Sequence, residues 1–213
     1  MDFLNPSVKY ELNPENVPII HKTSKSFLQK SLVFCGGRDD VFNVSQDCVA
    51  IGTIMKTREN KTFAVSVTLD QRTLWIVGGY DIKYENLRLT EFLKLSQPSV
   101  NGTDFLFTVI EHSMIQYDEK SIYIIGRNLN GSISKKTWIA DPTNQFRIRK
   151  GPSLNYRRQN HSCAKMTING RTILVVAGGC ESGKPLDSVE LLDPSTNNNW
   201  TPGLLLKYVT LLK

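Results

Sequence analysis

Four apolar runs, each closing on glycine, recur along the chain. They are Leu32-Val33-Phe34-Cys35 before Gly36-Gly37, Leu74-Trp75-Ile76-Val77 before Gly78-Gly79, Ile122-Tyr123-Ile124-Ile125 before Gly126, and Ile173-Leu174-Val175-Val176-Ala177 before Gly178-Gly179. The first glycines lie 42, 48 and 52 residues apart. Polar positions do not alternate with apolar ones inside the runs, so both faces of each strand are expected to be buried. A repeat of about fifty residues with one such strand per unit predicts a propeller-like array of stacked sheets.

The same order of elements is predicted around each run. A half-buried first strand precedes it at residues 63–69, 112–117 and 161–168. Polar turns join the two at Asp70-Gln71-Arg72, Asp118-Glu119-Lys120 and Asn169-Gly170-Arg171. Asn-Gly suits the two positive-φ positions of a tight hairpin. The recurring glycines mark a positive φ or a close approach by another backbone. A variable segment follows, then a third strand at 45–51, 89–95, 136–140 and 188–192.

Two of these third strands run into Asp141-Pro142-Thr143 and Asp193-Pro194-Ser195, where Asp suits the first turn position and Pro fixes φ at the second. Phe146 and Trp200 come next, placed to fill the gap between neighbouring sheets. No helical period of ten residues is visible. The expected fold is all-β, a propeller of four-stranded sheets. A β-sandwich is the weaker reading, because it gives the recurring glycine no role.

The last unit carries a family resemblance. Arg158-Gln159-Asn160-His161-Ser162-Cys163, then Val176-Ala177-Gly178-Gly179, Ser188-Val189-Glu190-Leu191-Leu192-Asp193-Pro194 and Trp200, resembles a kelch repeat. Arg58 with Trp75-Ile76-Val77-Gly78-Gly79 is similar, and His112-Ser113 with Ile124-Ile125-Gly126, Asp141-Pro142 and Phe146 forms a third copy. The third copy departs from the pattern at Arg127, which replaces the second glycine. In the first copy the first strand has to come from residues 17–28. The resemblance implies a kelch propeller, a fold that closes with five to seven blades; about four are recognisable here, a partial or open array. Expected boundaries are a weakly structured segment at 1–16, repeats at 17–56, 57–104, 105–155 and 156–203, and a divergent tail at 204–213. An open array leaves sheet edges free, so self-association through them is expected.

Composition narrows the function classes. With 213 residues, 40% hydrophobic and 22% charged, the chain reads as an ordinary globular protein. No apolar stretch approaches the roughly 20 residues of a membrane helix, so no membrane role is expected. The first residues, Met1-Asp2-Phe3-Leu4-Asn5-Pro6, lack the design of a secretory leader, which makes the cytoplasm the default expectation. The net charge is +6, densest at Arg147, Arg149, Lys150, Arg157 and Arg158, which read as solvated loop charges. Basic residues are not interleaved with aromatics along a helix, so a protein partner, acidic if anything, is expected rather than nucleic acid.

Two features point to the opposite compartment. Cys35 and Cys48 bracket a loop that a disulfide would close. Asn-x-Ser/Thr sequons recur along the chain, among them those at Asn43, Asn60, Asn101, Asn130 and Asn160. Together they keep open a secreted adhesion or recognition module carrying a disulfide and N-glycans.

Catalytic chemistry is not evident. His112 and His161 recur at one point of successive units, which suits the scaffold better than a single catalytic act. His161 and Ser162 are adjacent on one strand and point to opposite faces, so the first does not readily activate the second. No metal-ligand spacing and no phosphate-binding loop is present, and no cofactor is expected. The chain is read as a non-catalytic interaction module, with a propeller-based enzyme as a remote alternative. The resemblance implies uses such as a ubiquitin-ligase adaptor or an actin-associated scaffold; an adaptor also carries an N-terminal BTB domain, for which residues 1–30 are too few. Recognition is expected in the variable loops at 38–44, 80–88, 127–135 and 180–187. Arg38, Asp39, Tyr80, Tyr84, Arg127 and Lys184 are the candidate contact residues.

Overall fold

A computed structural model describes residues 33–35, 47–50, 53–56, 64–70, 72–79, 88, 90–94, 100–102, 108–129, 132–196 and 199–206. All regular structure among them is β, and no helix there is long and apolar enough to cross a membrane. Sheet I contains β1 (Val33–Cys35), β2 (Asp47–Ala50) and β3 (Thr53–Lys56) in that order. Sheet II contains β4 (Val65–Asp70), β5 (Thr73–Val77), β6 (Thr90–Lys94) and β7 (Val100–Asn101). Sheet III contains β8 (Ser113–Asp118), β9 (Ser121–Leu129), β10 (Ser132–Asp141) and β11 (Arg147–Lys150). Sheet IV is built from β12 (Ser162–Ile168), β13 (Arg171–Ala177), β16 (Val189–Leu192) and β17 (Thr201–Pro202); β14 (Cys180–Glu181) and β15 (Lys184–Pro185) form a small hairpin between β13 and β16. Every pairing is antiparallel.

Sheets II, III and IV stack as a propeller arc that does not close. The first strands of sheets II, III and IV are the strands that approach one another, so they form the narrow inner side of the wedge. Two apolar cores fill the gaps. Trp75, Val77, Val109, Met114, Ile122, Ile124 and Ala140 separate sheets II and III; Tyr123, Ile125, Ile139, Leu154, Leu174, Val176, Leu192 and Trp200 separate III and IV. Residues of β9 alternate between the two cores, which is why its run carries no polar position.

The large side chains sit where the wedge is widest. Phe146 packs 4.5 Å from Trp75 and 5.0 Å from Phe92, ring centre to ring centre. Its backbone is left-handed (φ 55°), as is that of Gln145 before it (φ 49°), a conformation costly for an aromatic residue and supported here by the ring's contacts. Asp141 sets up this turn by accepting from the Thr143 N–H at 2.9 Å and the Thr143 hydroxyl at 2.7 Å. Asp193 does the same for the Ser195 N–H at 3.0 Å, with Pro194 between them. These bonds, led by those from the Thr143 and Ser195 hydroxyls, hold both carboxyls below the usual carboxylate range.

The glycine at the end of the second strand is positive-φ in each described case, at 66° for Gly78, 59° for Gly126 and 65° for Gly178. A Cβ at Gly78 would lie 2.0 Å from the Val109 carbonyl oxygen, and one at Gly126 would lie 2.8 Å from that of Arg158. Both conditions, conformation and close approach, therefore require glycine. A second positive-φ glycine, Gly79 or Gly179, ends the strand in sheets II and IV. In sheet III, Arg127 takes its place and β9 runs on to Leu129, pairing with Ser132.

Candidate interaction surface

The segments expected to be variable loops are partly hairpins. Residues 127–129 and 132–135 continue β9 and β10 as a two-stranded extension, and residues 180–187 contain the β14–β15 hairpin. Its turn, Ser182-Gly183, has both φ values positive (51° and 78°), as a type I′ hairpin turn requires. Because all second strands run in the same sense through the stack, both hairpins rise at the same end of the arc. Lys184 lies exposed on β15, and Arg127 lies on the backbone of the β9 extension. Arg38, Asp39, Tyr80 and Tyr84 lie outside the described residues, as do Gly36 and Gly37.

The lead-in to sheet IV runs beside these hairpins. Its backbone donates from Leu154 N–H to the Lys135 carbonyl (2.8 Å) and from Arg158 N–H to the Ser134 carbonyl (3.4 Å). Gln159 and Cys180 exchange backbone bonds at 3.1 and 3.0 Å. This places exposed Lys135, Tyr156, Arg157 and Lys184 around one rim. Tyr156 is 48% exposed, an aromatic that the sequence reading did not select. The signal was its position in a polar stretch, Asn155-Tyr156-Arg157, where no core needs a ring.

A buried ion pair fixes that rim. Arg158, read from sequence as a solvated loop charge, is instead 0% exposed. Its Nη1 donates to the Gly178 carbonyl at 2.7 Å and the Ser188 carbonyl at 3.2 Å; Nη2 donates to the Ser188 hydroxyl at 2.9 Å and to Glu190 Oε1 at 2.8 Å. Glu190 also accepts from the Asn155 N–H at 2.6 Å, the Asn155 side-chain amide at 2.8 Å and the Tyr156 N–H at 3.2 Å. A carboxylate in the apolar strand Val189-Glu190-Leu191-Leu192 demands such partners, and that demand was readable in advance. The pair orients the backbone that presents Tyr156.

The two histidines belong to the scaffold. His161 Nε2 lies 2.7 Å from the Ser113 hydroxyl of the preceding sheet, and both residues are buried. Burial above all, then the nearby Arg158 charge, lowers the His161 pKa to about 3. A neutral imidazole so reluctant to take a proton makes a poor general base at neutral pH. His112 is buried too, with its pKa also lowered to about 3 by desolvation, and neither ring nitrogen has a hydrogen-bond partner. Among the described residues no three His, Cys, Asp or Glu side chains gather where they would hold a metal.

Fold and surface together define an open arc of propeller blades. Residues 162–203, from the start of β12 to just past β17, match the kelch motif. Sheet IV is the part of the chain that matches this motif, and sheets II and III share its strand order and glycine position. A comparison with curated proteins finds no match for the chain. The kelch motif is one of protein-interaction modules in general.

Proposed function

We propose that the chain is a non-catalytic recognition module that contacts an acidic protein surface with the hairpin end of the arc. The observation that carries this reading is the Arg158–Glu190 clamp, which fixes the backbone that presents exposed Tyr156 and Arg157, with exposed Lys184 on the neighbouring hairpin. Aromatic and arginine side chains on a preorganised surface are the usual anchors of protein interfaces. A chain of net charge +6 favours a partner of opposite sign.

The test compares affinity capture by the wild-type chain and by a triple variant, Tyr156→Ala, Arg157→Glu and Lys184→Glu. Proteins retained by the wild type should fall by about tenfold in the variant, whose circular dichroism stays unchanged. Retention that survives this variant, but is lost when Lys120→Glu alters the opposite end, would refute the assignment.

One observation favours the extracellular reading. Cys35 and Cys48 are direct cross-strand partners of β1 and β2. Opposed residues of an antiparallel pair have Cα atoms about 4.5–5.5 Å apart, inside the range a disulfide spans. Thiol counting by mass spectrometry on protein from its native source decides the matter: an oxidised Cys35–Cys48 pair supports secretion, and two free thiols remove that support.

A further inference from the structure

We infer that the outer face of sheet IV is a self-association surface on which a second copy of this chain stacks about a two-fold axis. Register fixes which residues share that face. Met166 pairs with Ile173, Ala164 with Val175, Val175 with Leu191 and Ala177 with Val189, so these side chains stand together. Leu174, Val176 and Leu192 point the other way, into the core against sheet III. The outer face thus presents Met166, Ile168, Ile173, Val175, Val189 and Leu191. Met166 is 45% exposed and Ile168 41%. A groove of about 540 Å³ runs over Ile168, Ile173 and Leu191 towards Thr201.

The same face of sheet III shows what such a surface is for. Ser113, Tyr123 and Ile125 occupy the positions of Ser162, Val175 and Ala177, each set counted back from the positive-φ glycine. There the face is closed: Tyr123 and Ile125 are buried against sheet IV, Ser113 meets His161, and the Arg158 carbonyl covers Gly126. In sheet IV, Ser162 is exposed, and a Cβ at Gly178 would meet nothing nearer than Leu206 Cδ1 at 3.5 Å. The outer face continues the register of an established interface, and among the described residues no sheet covers it.

Charge selects the occupant. The centre of the face holds no charged residue, so two identical copies can stack without repulsion. At its margin Arg171 and Asp193 stand 3.7 Å apart and exchangeable, so a two-fold axis can bring each against its opposite in the other copy. Leu204 and Leu205, 90% and 68% exposed, extend the apolar area beyond β17.

Magnitude sets the strength. Four strands of up to seven residues give a face of about 400 Å², or about 800–900 Å² buried over two copies. That lies below the standard size of a stable interface, so the dimer should be weak and reversible. This surface is independent of the hairpin rim, and the two can fail separately.

Sedimentation velocity across a concentration series of the full chain tests the inference. The expected result is a reversible monomer–dimer equilibrium that Met166→Glu weakens by at least about tenfold, with unchanged circular dichroism. Ile168→Glu, also at an exposed position, should do the same, so a misfolded first variant does not remove the test. Tyr156→Ala should leave the equilibrium where it was. A chain that stays monomeric to about 300 μM overturns the proposal, as does a dimer indifferent to both glutamates.

Discussion

The contact between sheets II and III is filled by tilted aromatic rings, whereas the contact between III and IV is fastened by polar groups as well. In the first, Phe146 lies on Trp75 and Phe92, and His112 is buried with no hydrogen-bond partner. In the second, His161 meets Ser113, and the Trp200 indole N–H donates to the Pro152 carbonyl at 3.1 Å. The Asn155 amide also reaches the Trp200 carbonyl, at 3.0 Å. The reason lies at a single register position. Ser113 pairs with Ile125 immediately before Gly126; the residue pairing with Val77 immediately before Gly78 is Val65. Sheet III offers the next histidine a hydroxyl, and sheet II offers its histidine a hydrocarbon. The repeat therefore conserves geometry while the chemistry at each contact varies.

Breaking the polar side of this comparison should have the largest effect. Arg158→Ala leaves the Glu190 carboxylate buried without its cation and should cost about 3–5 kcal/mol in a denaturant titration. Because isosteric apolar replacement of a buried pair is often close to neutral, adding Glu190→Leu to Arg158→Met should recover part of the loss. Equal destabilisation by the single and double variants would show that the pair's worth lies in its bonds to backbone instead. Those bonds, to Gly178 and Ser188 carbonyls, make the comparison informative.

Acid should separate the two contacts next. Both histidines are neutral in the folded chain, with pKa values lowered to about 3, while an unfolded histidine titrates near 6.5. Between these values the unfolded chain binds protons that the folded chain refuses. Stability contributed by the neutral rings is thus complete above about pH 6.5 and falls as the pH drops towards 3, by about 1.4 kcal/mol per pH unit for each histidine. His112→Leu should shallow this slope and, having no bond to lose, leave stability at pH 8 nearly unchanged. His161→Leu should shallow it as well but lower stability at pH 8 through the lost Ser113 contact. Denaturation midpoints from pH 4 to 8 for the three proteins test both statements.

Much of the scaffold was legible because its causes are local. A strand buried on both faces must be apolar throughout, and β5 and β9 announced themselves that way. The strand β13 has the same apolar run, but only Leu174 and Val176 are buried and its other face is partly exposed, against the expectation. Asn169-Gly170 has both φ values positive, at 51° and 76°, as its turn chemistry implied. The fourth strands were not legible, since β7 and β17 have only two residues each and take their register from the neighbouring strand. The β9–β10 extension was missed although Asn130-Gly131, a hairpin signal, lies in its sequence. Arg158 was misread because its burial is decided by Glu190, far along the chain, while its immediate neighbours Arg157 and Gln159 are polar.

The smallest effect should come from repairing the unpaired histidine. Val65→Ser places a hydroxyl at the position Ser113 occupies, at the cost of some apolar contact, so the net change in stability should be near zero. The informative quantity is the coupling between positions 65 and 112, taken from a double-mutant cycle with His112→Leu. In the native pairing, Ser113→Ala and His161→Leu should show a coupling of about 1 kcal/mol, the size of one buried hydrogen bond. Val65→Ala with His112→Leu should show almost none. If Val65→Ser raises that coupling towards the Ser113–His161 value, a single hydroxyl accounts for the difference between the two contacts. If it does not, the ring of His112 is held where no residue at position 65 reaches it, and the aromatic packing of Phe146, Trp75 and Phe92 becomes what fixes the angle between the sheets.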